Sequence, residues 1–580
     1  MNSLTAASEH GFAPVPVTTC NYGTGHFLTN AKGVFYISKD GEGNDRPAKW
    51  VCSPLQVVAK TRDERNGEWG RLLEWRDDDG KLHRWAMPLE MLEGDGTDVR
   101  RELARLGLQI SSNQSERSLL AAYIKVSPVE ARARCVERLG WHDGVFVLPS
   151  GAVGESKELK VFQNSNAVEP AYSVAGSVAE WRENVAGLAE GNSRLTFAIS
   201  VAFAGALADI TGEDSGGFHF RGASSSGKST SLRVAASVWG NPSQYVRLWR
   251  GTVNGLEGMA VMHNDGLLIL DEISQIDPGA AGDAAYMLAN GQGKVRAQRN
   301  GMARPPQRWR LFFLSAGEES LSPIMARAGK RTSAGQEIRL ADIEADAGAG
   351  KGIFENIHGH QNAAAIAGAI KAASDKNYGA VGLAWLESVA RNRQQLAATL
   401  IESIDQFVMD IVPPNAASQV GRVTRRFALA AVAGELATHY GLTGWPQGEA
   451  MRGARECFSA WLEAFGGNGN REGRAILEHV RAFFEKHGAS RFEYMHATDD
   501  QRVYNRAGFI SIREDGSREF WVLGEAFRSE ICDGFNERTV KTVLIDAGML
   551  VPGKDGKPTT NVRVHDLGST KVYIFRYNGE

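Results

Sequence analysis

The sequence predicts a multidomain α/β protein, and three patterns along the chain predict it. Strand and helix signals alternate from about residue 180 to about residue 345, which is typical of a parallel sheet covered by helices. Residues 360–465 are alanine-rich and helical, whereas residues 1–150 alternate β-type runs with turn signals. We therefore predict four regions: 1–175, mixed α+β; 176–350, an α/β core; 351–468, helical; and 469–580, helices followed by a hairpin.

The composition fits a globular protein and excludes wholesale disorder or a fibrous fold. Of the 580 residues, 43% are hydrophobic and 23% are charged, and the net charge is −3, so a nucleic-acid surface must be a local basic patch. The five cysteines contain no CxxC pair, which argues against a zinc ribbon and fits a reducing compartment. The chain start lacks a signal-peptide pattern and the apolar run 195–207 is short for a bilayer. We expect a cytoplasmic protein without membrane contact.

In the first region, Gly33 to Ile37 is predicted to form a strand, and residues 72–75 and 82–85 a hairpin. The hairpin turn contains Asp77-Asp78-Asp79-Gly80. Three aspartates are compatible with a metal site of the kind a primase needs, but a solvated Asp-Gly turn is the preferred interpretation. From Glu102 to Leu139 the pattern becomes helical.

A phosphate-binding loop is the strongest motif of the second region. The residues that match GxxxxGK[ST] are Gly222, Ala223, Ser224, Ser225, Ser226, Gly227, Lys228 and Ser229, followed by Thr230. A strand precedes the motif and a helix follows it, so backbone amides and the helix N-terminus are expected to bind the phosphates of ATP. We expect Lys228 to reach the β- and γ-phosphates and the hydroxyl of Ser229 to bind Mg²⁺.

Two acidic residues follow a second apolar strand, Leu267 to Leu270. We expect Asp271 to hold Mg²⁺ through water and Glu272 to be the general base that polarises the attacking water. A third apolar strand, Leu311 to Leu314, is expected to end at Ser315, whose hydroxyl would orient that water. Adjacent acids favour an ATPase over a kinase.

Residues 294–310 contain six basic and no acidic residues, in a chain of negative net charge. Asn300-Gly301 predicts a tight two-residue hairpin turn. The segment is either a solvated hairpin or, as we favour, a loop that contacts a DNA backbone. The residues predicted to bind DNA are Lys294, Arg296, Arg299 and Arg304.

The last region, 469–580, is similar to a winged helix. Residues 536–547 would form its second helix, 548–550 a return strand and 554–557 the wing tip. Such modules bind either DNA or proteins, and the helix offers only Arg538 and Lys541 as basic residues.

Taken together, these motifs resemble the domain-of-unknown-function family 927, helicase-like AAA+ ATPases of prophages and integrative elements that are related to the MCM-like helicases of mobile cassettes. The resemblance covers most of the chain. Its further motifs are Gly140-Trp141-His142, Trp249-Arg250, Asn254-Gly255-Leu256-Glu257, Tyr286-Met287-Leu288-Ala289-Asn290-Gly291, Gly335-Gln336-Glu337-Ile338-Arg339-Leu340, Arg425-Arg426-Phe427 and Gly444-Trp445-Pro446.

The resemblance implies an AAA+ P-loop ATPase core with a helical lid, an α+β N-terminal region and a C-terminal winged helix. It also implies a ring, expected to be a homo-hexamer, with ATP sites between subunits and DNA through the pore. An arginine from the neighbour would stabilise the transition state, with Arg339 as first choice and Arg331 as second. Arg422 and Arg426, in the lid, would act as a second sensor of the nucleotide.

These observations predict an ATP-dependent DNA helicase or translocase that serves replication of a mobile element, with single-stranded or forked DNA as partner. The alternative is a nucleotide-switched AAA+ regulator, either a transcription activator or a defence sensor, with the winged helix as its reader. A polymerase-activating protein would carry a GAFTGA-type loop between the phosphate loop and the acidic pair, and the sequence contains none.

Overall fold

The computed structural model describes residues 17–163, 171–297, 303–304, 306–330, 332–414, 416–465, 471–495, 503–513, 516–553, 555–564 and 567–577. Arg331, Arg299 and the Asn300-Gly301 pair lie outside the described residues, as does the predicted linker 466–470.

The N-terminal region contains three small sheets and two helices. Their order along the chain is β1 (Thr18–Tyr22), β2 (Gly25–Asn30), β3 (Gly33–Ser38), β4 (Lys49–Cys52), β5 (Leu55–Arg62), β6 (Gly70–Arg76), β7 (Leu82–Pro88), α1 (Thr97–Arg105), α2 (Gln114–Val126), β8 (Arg132–Val136), β9 (Gly140–His142), β10 (Val145–Leu148), β11 (Gly151–Val153) and β12 (Leu159–Phe162). The sheets have the strand orders β1-β2-β3-β4, β12-β8-β5-β6-β7 and β11-β10-β9.

Two predictions for this region are confirmed, and a third is confirmed only as far as Val126. Gly33–Ser38 is a strand, and β6 pairs antiparallel with β7 around a turn in which Asp77 accepts hydrogen bonds from the amides of Asp79 and Lys81. The helical pattern after Glu102 ends at Val126, because Arg132–Val136 pairs with β5 and β12. Partners distant in sequence therefore override the local pattern.

The central region is a five-stranded parallel sheet with helices on both faces. Its elements are α3 (Val178–Trp181), α4 (Gly187–Ala189), α5 (Ser193–Thr211), β13 (Gly216–Arg221), α6 (Lys228–Ser237), α7 (Pro242–Tyr245), β14 (Arg247–Leu248), α8 (Val253–Val261), β15 (Gly266–Asp271), α9 (Ala281–Asn290), β16 (Arg296–Ala297), β17 (Ala303–Arg304), β18 (Leu311–Gly317), α10 (Leu321–Arg327), α11 (Ala334–Glu337) and β19 (Leu340–Glu344). The strand order is β14-β15-β18-β13-β19, and β16 pairs only with β17 among the described residues.

Alternate residues of β15 and of β18 enter two different hydrophobic cores. Leu267 and Ile269 of β15 belong to the core that contains α5 and α6, whereas Leu268 and Leu270 belong to the core that contains α8, α9 and α10. A parallel strand buried on both faces reads as a continuous apolar run, as this one does.

Four long helices follow the sheet, as predicted: α12 (Ala363–Ser374), α13 (Ala380–Ile411), α14 (Ser418–His439) and α15 (Glu449–Phe465). Their apolar side chains do not form a core of their own. Phe427 of α14 stacks on Phe197 of α5 and meets the edge of Phe218 on β13, so this layer and the sheet share one core.

Helix α5 lies at the centre of that shared core. Among the described residues it is the one helix long and apolar enough to cross a membrane, but 83% of its apolar window is buried inside the protein. A helix that is apolar on all sides is typical of a buried core position.

The C-terminal region has its own hydrophobic core. Its elements are α16 (Arg471–His487), β20 (Phe492–Tyr494), β21 (Gly508–Ile512), β22 (Arg518–Leu523), α17 (Gly524–Ala526), α18 (Glu537–Asp546), β23 (Leu550–Val551), β24 (Thr560–Val564) and β25 (Gly568–Arg576). The predicted helices and terminal hairpin are confirmed, with Gly553 donating to the carbonyl of Lys557 in the predicted turn.

A buried carboxylate joins the N-terminal region to the central sheet. Asp265 is 4% exposed and accepts hydrogen bonds from the backbone amide of Trp141 (2.9 Å) and from Asn264 Nδ2 (2.8 Å). Gly140 is in the left-handed region at φ 95°, and a Cβ there would lie 2.5 Å from Asp265 Oδ2. Burial raises the pKa of Asp265 to about 6.

We therefore predict that Asp265→Asn changes the pH dependence of stability. A carboxyl whose folded pKa is raised stabilises the fold below its unfolded pKa, and this contribution is lost as the pH rises through the folded value. Between pH about 4 and about 7, wild type should lose about 2–3 kcal/mol relative to Asp265→Asn. Urea unfolding of both proteins at several pH values measures this difference.

Asp209→Asn is the matched control, because its effect should have the opposite sign. Although burial opposes the shift, hydrogen bonds and charge from Arg393 and Arg310 lower the pKa of Asp209. The Asp209 carboxylate should therefore stabilise the fold above its unfolded pKa. Parallel pH profiles for wild type and Asp265→Asn would contradict the prediction.

Candidate functional site

The phosphate-binding motif lies between β13 and α6, at the carboxyl edge of the central sheet. Ala223, Ser224 and Ser225 are exposed, and Ser225 is in the left-handed region at φ 63°. Gly227 precedes α6 at φ 93°, and no side chain caps the first amides of that helix. The exposed loop therefore leads into a helix N-terminus without a side-chain cap, which is the geometry that binds phosphate.

The ammonium group of Lys228 folds back over this loop. Its Nζ donates to the carbonyl oxygens of Gly222 (2.8 Å) and Ala223 (2.6 Å). These are neutral acceptors, and a phosphate in the loop offers charged ones, which make stronger hydrogen bonds. The lysine is thus held within the cradle where the phosphate charge would be.

Ser229 and Asp271 meet at the same edge, as the sequence predicts. Ser229 Oγ donates to Asp271 Oδ2 over 3.2 Å. Burial raises the pKa of Asp271, so a cation beside this carboxylate would stabilise its charged form. A hydroxyl and a carboxylate are hard oxygen ligands, and Mg²⁺ in nucleotide sites takes few protein ligands beside the phosphates. The two side chains therefore fit a magnesium ion.

Glu272 follows Asp271 with a strained backbone. Its φ of 57° and ψ of 71° lie in the left-handed region, which a glutamate rarely occupies. Its amide donates to Asp271 Oδ1 (2.9 Å), and its carboxylate accepts from the hydroxyl of Ser274. Strain of this kind is concentrated at functional sites.

Ser315 does not have the predicted position. Its strand continues to Gly317, and the side chain is fully buried between β15 and β13. Ser315 Oγ accepts from Trp249 Nε1 (2.8 Å) and lies 2.9 Å from His219 Nδ1. Because His219 Nε2 donates to the carbonyl of Glu319 (3.0 Å) and burial lowers the pKa of this histidine, Nδ1 is the acceptor for the serine proton. That proton is not available to a lytic water, so the predicted role is wrong.

The candidate arginines lie at the other edge of the sheet. Arg339 precedes β19, and its carbonyl accepts from the amide of Gly217 at the start of β13. At about 3.3 Å per residue, the six-residue strand β13 puts Arg339 about 16 Å from the phosphate loop. Arg339 donates to Asn290 Oδ1 (2.8 Å) and to the carbonyl of Gly335 (2.6 Å), and it stacks on Tyr286.

Arg422 and Arg426, which are predicted to act as a second sensor of the nucleotide, lie beside Arg339 at that edge. Arg426 packs against Gly216 and donates to the carbonyl of Ile338 (2.6 Å). Burial and the neighbouring charge of Arg339 lower its pKa to about 10. Arg422 is exposed beside them. The three arginines form a basic cluster far from the phosphate loop of the same chain.

The basic hairpin differs from its prediction in register and in one contact. Ala297 pairs with Ala303 and Arg296 with Arg304, whereas a two-residue turn at Asn300-Gly301 would pair Ala297 with Arg304. Lys294 is exposed, as a DNA contact requires. Arg296 is instead held in an ion pair with Glu257 (2.6 Å), and the side chains of Arg299 and Arg304 lie outside the described residues.

Sequence reasoning missed a second glycine-rich segment that contacts the phosphate loop. The amide of Ile353 donates to the carbonyl of Ser226 (2.9 Å), and a Cβ on Gly352 would lie 2.3 Å from that same oxygen. Ile353 also occupies the space that a Cβ on Gly227 would need. The glycines at 348, 350 and 352 were the available signal, but they fall at the predicted boundary between core and helical region.

Comparison with known proteins agrees with the resemblance found in the sequence. Residues 27–308 match the model of the domain of unknown function family 927, DUF927, so the chain carries this domain. No curated protein sequence matches the chain at a significant level.

Two solved structures were compared with this fold. The chain is similar to Cch of SCCmec type IV, described as an active helicase, with 18% identity, a TM-score of 0.69 and coverage of 96% of this chain and 98% of that chain. The two proteins therefore share a fold over nearly their whole length. The apo C-terminal region of NrS-1 in its A form matches 61% of this chain and 76% of its own, with 10% identity. Its TM-score of 0.26 is too low to establish a common fold.

We predict that two substitutions at this site separate nucleotide binding from hydrolysis. Glu272→Gln should bind ATP but lose turnover by about 10²–10⁴, because an amide cannot accept the proton of the attacking water. Lys228→Ala should lose binding itself, because the amides alone leave the phosphate charge poorly compensated. Fluorescent-nucleotide titration and phosphate release measure the two steps. Wild-type turnover by Glu272→Gln would exclude it as general base.

Proposed function

We propose that this protein is an ATP-driven DNA helicase or translocase of a mobile genetic element, acting as a ring in DNA replication. One observation carries the proposal. The phosphate loop and acidic pair are at one edge of the sheet, while the arginines that such a reaction needs cluster at the other. A single chain cannot bring these groups together, but adjacent copies can. Head-to-tail contacts of this kind generate closed rings, and we propose a homo-hexamer.

The proposed reaction is ATP hydrolysis. Lys228 and the loop amides hold the phosphates, Ser229 and Asp271 hold Mg²⁺, and Glu272 accepts the proton of the attacking water. Magnesium supplies charge neutralisation between the phosphates when it is bound. Arg339 of the adjacent subunit, already oriented by Asn290 and Tyr286, compensates the charge that develops on the γ-phosphate.

The sheet supports an AAA+ assignment. In chain order its strands are β13, β14, β15, β18 and β19, so the observed arrangement is 2-3-4-1-5, with the phosphate loop after the first strand and the acidic pair after the third. Helices α12–α15, which follow the last strand, take the place of the lid in this assignment.

DNA is the proposed partner, in single-stranded or forked form. The hairpin that carries Lys294 lies between α9 and β18 in the chain, and residues 294–310 concentrate positive charge, as a surface that binds a phosphate backbone requires. The shared fold with Cch, an active helicase, supports the same conclusion.

The proposed winged helix of the C-terminal region is a weaker candidate for DNA binding than the basic hairpin. Lys541 of α18 pairs with Glu537 and lies over the rings of Phe527 and Tyr573, which leaves Arg538 as the exposed basic residue of this helix. One cation gives little affinity for a phosphate backbone, so we favour a docking role.

A subunit-mixing experiment tests the trans position of Arg339. Arg339→Ala should bind ATP and assemble normally but lose about 10³–10⁵ in turnover, the usual contribution of an arginine finger. Mixed with Lys228→Ala, which is also inactive, it should regain part of the activity. One interface in the mixed ring would then contain an intact loop and an intact arginine.

The readout is phosphate release across a series of mixing ratios, with assembly checked by sedimentation. Lys294→Ala mixed with Lys228→Ala is the control, because Lys294 lies outside the interface chemistry and the mixture should only dilute activity. Well-mixed rings without recovery would place the role of Arg339 within its own subunit.

Unwinding of a forked duplex tests the function as a whole. Wild type with ATP and Mg²⁺ should displace the labelled strand, and Lys228→Ala should not. A protein that hydrolyses ATP but neither unwinds the fork nor moves along single-stranded DNA would instead be the nucleotide-switched regulator.

A further inference from the structure

The carboxylate of Glu257 is fully buried on α8, beneath the basic hairpin. Its side chain is 0% exposed, and its two oxygens accept from Arg296 NH1 (2.8 Å) and NH2 (2.6 Å). Arg296 NH2 also donates to Asn254 Oδ1 (3.0 Å), one turn earlier on the same helix. The guanidinium is therefore bound by two residues of the Asn254-Gly255-Leu256-Glu257 motif, to which no role has yet been assigned.

The chain around this ion pair is shaped to admit the carboxylate. A Cβ on Gly293 would lie 2.1 Å from Glu257 Oε1, so any side chain there would displace Glu257. The amide of Gly293 donates to the carbonyl of Gln307 across the hairpin base (2.9 Å). The carboxylate of Glu257 thus lies next to the backbone hydrogen bond that joins the two arms at the base of the hairpin.

A buried carboxylate is costly unless it is paired and fully hydrogen-bonded. Among the residues that the structure describes, Arg296 is the cation paired with Glu257, and the pair is bidentate, the strongest geometry for these groups. If Arg296 left Glu257 to bind a DNA phosphate, the buried carboxylate of Glu257 would remain without its paired cation. Arg296 therefore stays on Glu257, and the positive charge that faces DNA must come from other residues of the hairpin.

Helix α8 begins beside the nucleotide site. The amide of Trp249, just before α8, donates to the carbonyl of Asp271 (3.1 Å), and Thr252 caps the helix by accepting from Gly255. The ion pair therefore connects the hairpin to a helix that directly follows the segment bonded to Asp271. A second connection runs through the chain itself, from α9 into the hairpin at Gly291, whose carbonyl accepts from Trp309 (2.9 Å).

We propose that Glu257, with Asn254, is a positioning residue for translocation: it fixes the base of the hairpin to α8 through Arg296, so that the hairpin moves with this helix. Arg296 is then an anchor and not a DNA contact. The proposal rests on the proposed DNA-motor function, but its central contact can be tested separately.

The central variant is Glu257→Gln, which keeps the shape of the side chain and one acceptor but removes the charge. Hydrogen exchange of the amides in residues 291–297 and 306–309 should accelerate about tenfold or more, because the pair that holds this base is weakened. Exchange in the phosphate loop should not change. This readout needs neither DNA nor ATP, so it tests the anchor even if the protein proves not to be a helicase.

The functional readout is ATPase activity with and without single-stranded DNA. Glu257→Gln and Arg296→Ala should keep basal turnover but lose about tenfold in DNA stimulation and unwinding, and the double variant should be no worse than either, because both remove one interaction. Arg296→Lys, which retains a cation, should restore part of the stimulation.

Lys294→Ala is the matched control, an exposed cation two residues from Arg296. It should lower the salt slope of DNA binding by about 0.7, the value for one phosphate contact on a single strand, and leave hydrogen exchange unchanged.

Two results would overturn the anchor. One is unchanged hairpin exchange in Glu257→Gln. The other is tighter DNA binding by Glu257→Gln with a steeper salt slope, because a freed Arg296 that binds phosphate would be a DNA contact. If DNA does not stimulate the ATPase of wild type but exchange still accelerates in Glu257→Gln, the proposed function is refuted and the anchor is retained.

Discussion

Burial of the central sheet on both faces is the constraint on which the rest of the structure depends. Every residue of β18 is buried, and alternate residues of β15 enter different cores. A strand in this position has no face on which to display polar groups, so they collect where strands end. The acidic pair and the phosphate loop occupy the carboxyl edge for this reason. Two polar side chains inside strands, Ser315 and His219, are hydrogen-bonded to each other, and their remaining contacts are to Trp249 and to the carbonyl of Glu319.

The same constraint places the functional motifs at opposite edges of the sheet. The phosphate loop and the acidic pair lie at one edge, while Arg339, Arg422 and Arg426 lie at the other, with the length of a strand between them. Like charges so close together are tolerated because Asn290, Tyr286 and backbone carbonyls surround the cations. The burial of Arg426 beside Arg339 lowers the pKa of its guanidinium, which is the cost of this arrangement.

What the sequence could predict follows from how local each feature is. The phosphate loop, the acidic pair and most helices are specified by neighbouring residues, so their spacing was sufficient. Strand Arg132–Val136, the hydroxyl of Ser315 and the guanidinium of Arg296 depend on partners far along the chain, and their environments were predicted wrongly. The sequence shows that Arg296 is basic, but only the fold shows that the buried carboxylate of Glu257 is paired with it.

The core that α5 shares with the later helices has a practical consequence for the newly made chain. Until α14 and α15 have been synthesised, more than two hundred residues after α5, that helix lacks the partners that cover it. It then resembles a segment destined for a bilayer, by both length and composition. Release of a fragment that ends near residue 350 would leave this surface exposed, so such fragments should aggregate or be captured by chaperones. The helical layer therefore has to be present for the apolar surface of α5 to be covered.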